Sequence, residues 1–128
     1  MTGAERLAAA LRDEGGLLAA ALAPAPAPDQ LADGVPGSDH ALVLAAVREG
    51  YRLHYETGAV VRTHDPDLAL LGGDRLYALG LARLAEIGDL EAVARLADTI
   101  SRCAQAHAED DPQAAREAWL ALTPVFGR

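Results

Sequence analysis

Lysine is absent from this 128-residue chain, and all 11 of its basic side chains are arginine. Set against 19 aspartates and glutamates they leave a formal net charge of -8. A chain this acidic has no basic patch with which to neutralise phosphates, so DNA and RNA are excluded as its main partners. The missing lysine also rules out a Gly-x-x-x-x-Gly-Lys phosphate loop. Cysteine is nearly absent too. With Cys103 alone there is no intramolecular disulfide and no Cys/His spacing for zinc, which suits a reducing cytosol and gives a cytoplasmic location as the expectation. Long apolar runs are lacking: no segment reaches the roughly 18 uncharged residues of a spanning helix. The opening Met1 to Ala10 carries Glu5 and Arg6, unlike a signal peptide, so neither membrane insertion nor export by that route is expected. Aromatics make up only 4% of the chain, so a core must be built from Leu, Val and Ala, which fill volume only where helices approach closely.

What the chain does have is alanine, leucine and arginine, all strong helix formers, while the residues that strands favour are scarce. The fold class is all-α, about five helices in an antiparallel bundle. Residues 1–22 read as an N-terminal helical arm, with Leu7, Leu11, Leu18 and Leu22 near one- and two-turn spacings and a break at Gly15-Gly16. Residues 23–38 read as a Pro/Ala-rich linker, because alternate residues of Ala23 to Pro28 lack an amide hydrogen and Asp33 to Gly37 adds turn signals. It is a stiff spacer or a ligand for a proline-recognition module. Residues 39–128 then form the helical bundle.

In the bundle, Ser38 or Asp39 caps a second helix that runs to about Thr57 and stops at Gly58. Its polar residues Arg48, Glu49, Arg52 and Glu56 share one narrow strip, and apolar residues cover most of the rest, so it needs partners on more than one side. Asp65-Pro66 starts a third helix through Ile87, ended by Gly88. Leucines lie almost all around its axis, which predicts a central position. Asp89 caps a fourth helix to about Ala108, with Leu90, Val93, Leu96, Ala97, Ile100 and Ala104 inward and the pairs Glu91/Arg95 and Asp98/Arg102 on a solvated face. Asp111-Pro112 starts a fifth helix that presents Ala115, Ala118, Trp119 and Leu122 and ends at Pro124. Trp119 reads as a packing anchor, within the chain or at a subunit contact.

Candidate chemistry is sparse. No Glu-x-x-His pair exists for a helical di-metal site, and His54, Tyr55 and Glu56 would leave a helix at widely separated angles. His64-Asp65 reads as the start of a helix, and His107 with Glu109, Asp110 and Asp111 as a solvated turn. Cys103 has no partner for a nucleophilic triad and reads as a small apolar residue.

One stretch resembles a known family. Asp67 to Ala85, with its Leu71-Gly72-Gly73-Asp74 step, followed by Gly88-Asp89, is similar to a helix of the trans-polyprenyl diphosphate synthases. Leu90 to Ala108 is similar to the next helix of that fold, and Tyr51 to Glu56 sits where the family places its first Asp-rich motif. The resemblance spans roughly residues 40 to 108 and implies part of the isoprenoid synthase fold. Members bind magnesium through two Asp-rich motifs that hold the allylic diphosphate. Here Tyr55 and Glu56 stand at the first motif, the basic run after it is missing, and the second would lie beyond the chain. The resemblance therefore implies a non-catalytic small subunit of a heteromeric synthase, with no catalytic, cofactor-binding or metal residue of its own. Any Mg2+ would be held by the catalytic partner. The candidate interface or tunnel residues are Val47, Gly50, Leu53, His54, Leu71, Asp74, Tyr77, Leu81, Leu84 and Trp119. The partner is a catalytic polyprenyl synthase subunit or, in a second reading, another copy of the chain forming a homodimer.

Overall fold

The computed structural model describes residues 1–122 and 126, and the described chain is all-α. Seven helices follow one another among these residues: α1 (Gly3–Glu14), α2 (Gly16–Ala20), α3 (Gln30–Asp33), α4 (Ser38–Tyr55), α5 (Pro66–Ile87), α6 (Leu90–Ala108) and α7 (Pro112–Leu122). Local chemistry accounts for most boundaries. Thr2 and Glu5 form a reciprocal capping box at the start of α1, and the break after it falls on Gly15 and Gly16, at φ 75° and 87°, where side chains are disfavoured. Asp65 accepts the Asp67 and Leu68 amides ahead of Pro66, and Gly88 closes α5 in the left-handed region at φ 80°. Asp89 and Asp111 accept the Ala92 and Ala114 amides and so start α6 and α7. Pro124, the expected stop after α7, lies outside the described residues.

Two boundaries differ from the sequence reading. The N-cap of α4 is Gly37, without a side-chain cap bond, so Ser38 and Asp39 are already helical. That helix also ends at Tyr55, before Gly58, whose role is one of space: a Cβ there would run into the Val61 carbonyl oxygen and lie 2.7 Å from a Glu49 carboxylate oxygen.

The apolar interior has two parts, and α4 contributes to both. On one side Leu7 and Leu11 of α1 pack with Leu53, Val60, Val61 and Leu76. On the other, Val43, Val47 and Tyr51 pack with Leu84, Leu96, Cys103, Trp119 and Leu122 from α5, α6 and α7. Through Leu76 and Leu84 α5 also reaches both parts, but α4 is the more enclosed of the two, with ten buried residues against five. The leucines around α5 reflect one face packed on α4 and another left open.

The α4–α5 contact is unusually close because glycines line it. A Cβ on Gly50 would lie 2.8 Å from the Gly73 carbonyl oxygen, and one on Gly80 would lie 2.6 Å from Val47. The inner face of α6 is turned relative to its expected stripe. Ala92, Leu96, Thr99, Cys103 and Ala106 are buried, whereas Leu90, Ala97 and Ala104 are exposed.

The segment expected to be a free linker is docked on the bundle. Ala23, Asp29 and Ala32 are buried, and α3 follows Asp29, its N-cap. The Ala23 amide donates to the Val60 carbonyl at 2.8 Å, the Ala27 amide to Ala59 at 3.3 Å and the Arg62 amide to Ala21 at 2.8 Å. Prolines remove alternate donors, but Ala23 before them and Ala27 between the last two still pair with the loop after α4. That loop is held by Glu49, which is fully buried and accepts the amides of Ala59 (3.1 Å), Val60 (3.0 Å) and Val61 (2.9 Å).

Removing that carboxylate leaves three buried amides without an acceptor. Glu49→Ala is expected to destabilise the fold by about 3–5 kcal/mol, the usual cost of breaking a buried charged pair. Urea or thermal unfolding checks this, and a change under about 1 kcal/mol would show that the loop does not depend on Glu49.

Candidate functional site

The polar strip of α4 is not a wet face. Arg48, Glu49 and Arg52 lie beneath α3 and the two paired loops. Asp29, the N-cap of α3, accepts from Arg48 Nε at 2.9 Å and from a terminal nitrogen of Arg52, whose other terminal nitrogen reaches Glu49 at 3.3 Å. Two arginines and two carboxylates thus balance in one buried network. Burial pushes the Asp29 carboxyl upward, but the hydrogen bond and charge of Arg48, with Arg52 behind them, outweigh it and hold the group below its ordinary value.

Arg48 also faces the other way, with its guanidinium carbon 4.7 Å above the Trp119 ring. From there a row of ring contacts crosses the molecule. Trp119 meets the edge of Tyr51 at 5.4 Å, and Tyr51 lies 5.5 Å from His107. His107 stacks on Tyr55 at 4.0 Å and 3°, Tyr55 meets His54 at 5.8 Å, and His54 meets Tyr77 at 5.1 Å. Four of the chain's five aromatic residues and two of its four histidines stand in this row. Tyr51 Oη and His107 Nε2 are 2.7 Å apart, a hydrogen bond between α4 and α6. Burial raises the Tyr51 phenol to about 12, so it keeps its proton at neutral pH.

At the Trp119 end a cleft of about 430 Å³ opens between α4, α7 and the end of α6, lined by Arg48, Tyr51, Glu56, His107, Arg116 and Trp119 among others. The sequence reading missed it. His107 is not part of a solvated turn but is half-buried and bonded to Tyr51. The available signal was the scarcity of aromatics: Tyr51 and Tyr55 stand four apart on one helical face.

The expected interface or tunnel residues divide into two groups. Val47, Gly50, Leu53 and Leu84 are buried within the chain's own core, and Trp119 is buried apart from the part of its ring that lines the cleft. Gly50 and its opposite neighbour Gly73 bring the two backbones together, which leaves no room for a prenyl chain at that crossing. His54, Asp74 and Tyr77 come together: His54 Nε2 is 3.1 Å from the Asp74 carboxylate and 3.2 Å from the Leu70 carbonyl. Leu71 is 66% exposed, Asp74 is exposed and Leu81 is half-buried.

Other chemistry is limited. Among the described residues no three His, Cys, Asp or Glu side chains converge for a metal ion. Cys103 is buried, donates to the Ala115 carbonyl at 3.9 Å and is pushed by burial to about 11, which leaves little thiolate at neutral pH. No described helix is long and apolar enough to cross a membrane. The fold and site define an all-α protein with a buried ion network behind an aromatic cleft. No family model, curated protein or solved structure matches the chain.

Asp29, Asp89 and Glu5 all sit below their ordinary values. For Asp89 the chief cause is its hydrogen bond with His40, and for Glu5 it is the Thr2 amide. A carboxylate depressed in the folded state contributes stability above its unfolded value near 4, and that stability fades as pH falls through the folded value. Unfolding free energy is therefore expected to drop below about pH 4. Asp29→Asn should reduce both the stability at pH 7 and the steepness of that drop; unchanged acid dependence would show that Asp29 does not contribute to it.

Proposed function

We propose that the chain is a non-catalytic accessory subunit of a polyprenyl diphosphate synthase, docking on the catalytic subunit through the outer face of α5 and helping to shape its chain-length tunnel. The observation that carries this reading is a seam along that face. Leu71, Asp74, Ala78, Leu81 and Ala85 recur at spacings of 3, 4, 3 and 4 residues, the pattern of a helix that packs along another helix. All but the half-buried Leu81 are exposed, and Leu70 beside them is 55% exposed. Alanines at two of the five positions would let a partner helix approach closely. An open stripe that is apolar at four of its five positions is uncommon on a chain that works alone.

The identity of the partner rests on the resemblance of residues 40 to 108. Several features agree with a helper rather than a self-sufficient synthase. Tyr55 and Glu56 replace the first Asp-rich motif, and the α4–α5 crossing is filled by backbone. Elongation, and the Mg2+ it requires, belong in this reading to the catalytic subunit.

A tagged copy co-expressed with the polyprenyl synthase of the same source is expected to retain that synthase and to change its rate or product length. Leu71→Glu and Ala78→Glu should abolish retention while leaving the melting temperature nearly unchanged, since both sites are exposed. A synthase that neither binds nor responds would end this reading, and a homodimer disrupted by the same substitutions would identify the seam as a self-association surface.

A further inference from the structure

We propose that the cleft between α4, α6 and α7 is a binding site for a small organic carboxylate with a flat apolar body. This goes beyond the α5 seam and does not depend on it. At about 430 Å³ the cleft falls within the roughly 300–1,000 Å³ of ordinary small-molecule sites. Its aromatic surface comes from Tyr51 and Trp119, in a chain with few aromatics to place.

The polar groups are mostly donors. Arg48 spends its Nε on Asp29, and no acceptor for its terminal nitrogens stands among the described residues. Arg116 is exposed and has no ion-pair partner among the described residues. The Trp119 indole N–H is buried and has no hydrogen-bond partner among the described residues. The Tyr51–His107 pair adds one more donor whichever group donates at 2.7 Å. If the phenol donates, His107 keeps a proton on Nδ1; if Nε2 donates, the phenol proton remains free. Among the described residues that line the cleft, Glu56 is the one carboxylate set against these donors.

A buried donor without an acceptor is costly, and two guanidiniums beside an aromatic wall match a planar anion that offers two oxygens. The buried network behind the cleft contributes to the fit. Asp29 fixes Arg48 over the Trp119 face, so its outer nitrogens are held in place before any ligand arrives.

Trp119 is the only tryptophan, so its emission reports on this cleft alone. The full chain is titrated with benzoate, with benzamide as the same body without charge, with acetate as the charge without a body, and with phenyl phosphate. Benzoate is expected to give a saturable change in emission, with benzamide and acetate at least ten-fold weaker. Arg116→Gln is expected to weaken benzoate at least ten-fold while the circular dichroism melt stays as in the parent chain. A non-saturable response, equal responses to benzoate and acetate, or an Arg116→Gln chain that binds benzoate unchanged would overturn the proposal. Phenyl phosphate binding more tightly than benzoate would overturn the carboxylate assignment.

Discussion

The fold depends on one carboxylate that has no contact with water. Glu49 is fully buried on α4 and accepts three consecutive backbone amides, Ala59 to Val61, with Arg52 alongside. Burying a charge is expensive unless its oxygens are fully paired, and hydrogen bonds to a charged acceptor contribute about 1.5–3 kcal/mol each. The amides gain as well. They belong to a turn with neither helix nor sheet to satisfy them, and a buried unpaired amide is a cost that folded chains avoid. Once the turn is fixed, its carbonyls receive the amides of Ala23 and Ala27, and the Pro/Ala segment is drawn down onto the bundle. Asp29 then arrives above Arg48 and Arg52, and Arg48 is set over Trp119. The aromatic cleft is thus joined to Glu49 by one continuous set of contacts.

A second constraint is the poverty of large side chains. Leu, Val and Ala can fill a core only if helices come close, and Gly50, Gly73 and Gly80 allow α4 and α5 to do so. That closeness has a consequence for the opposite side of α5. A helix whose inner face is so compact keeps many leucines and alanines outside, and at Leu70, Leu71, Ala78 and Ala85 nothing in the described chain covers them. The apolar content of α5 therefore divides between a face that serves the fold and a face that supports the partner reading.

Much of the fold was legible in the sequence because it is written in local chemistry. Asp65-Pro66 and Gly88, Asp89, Asp111-Pro112 and the Gly15-Gly16 break mark helix limits through side chains that act within a few residues of themselves. The long-range part was not. Glu49 and Glu56 share the strip that the sequence predicts, yet Glu49 is fully buried because residues 59–61 fold back over it, whereas Glu56 lies past the end of α4 and is exposed. The Pro/Ala stretch read as a linker for the same reason: its composition forbids a helix, but its docking rests on alanine amides and on an aspartate that meets arginines 19 and 23 residues away. Of the candidate site, Trp119 was visible as an anchor and Leu71 as an interface or tunnel candidate. The pairing of Tyr51 with His107, 56 residues apart, was not.

The placement of the aromatics ties these levels together. A core of aliphatic and small residues can be repacked in many near-equivalent ways, whereas rings fix distances and angles. Here Trp119, Tyr51, His107, Tyr55, His54 and Tyr77 form one row from α7 through α4 and α6 to α5. One end is the wall of the cleft. The other is Tyr77, against the position where Gly50 brings α4 onto α5, one helical turn from Asp74 and Leu81 of the seam. The chain thus spends nearly all of its few rings on defining the relative positions of four helices, and the cleft and the seam are held at opposite ends of the same row.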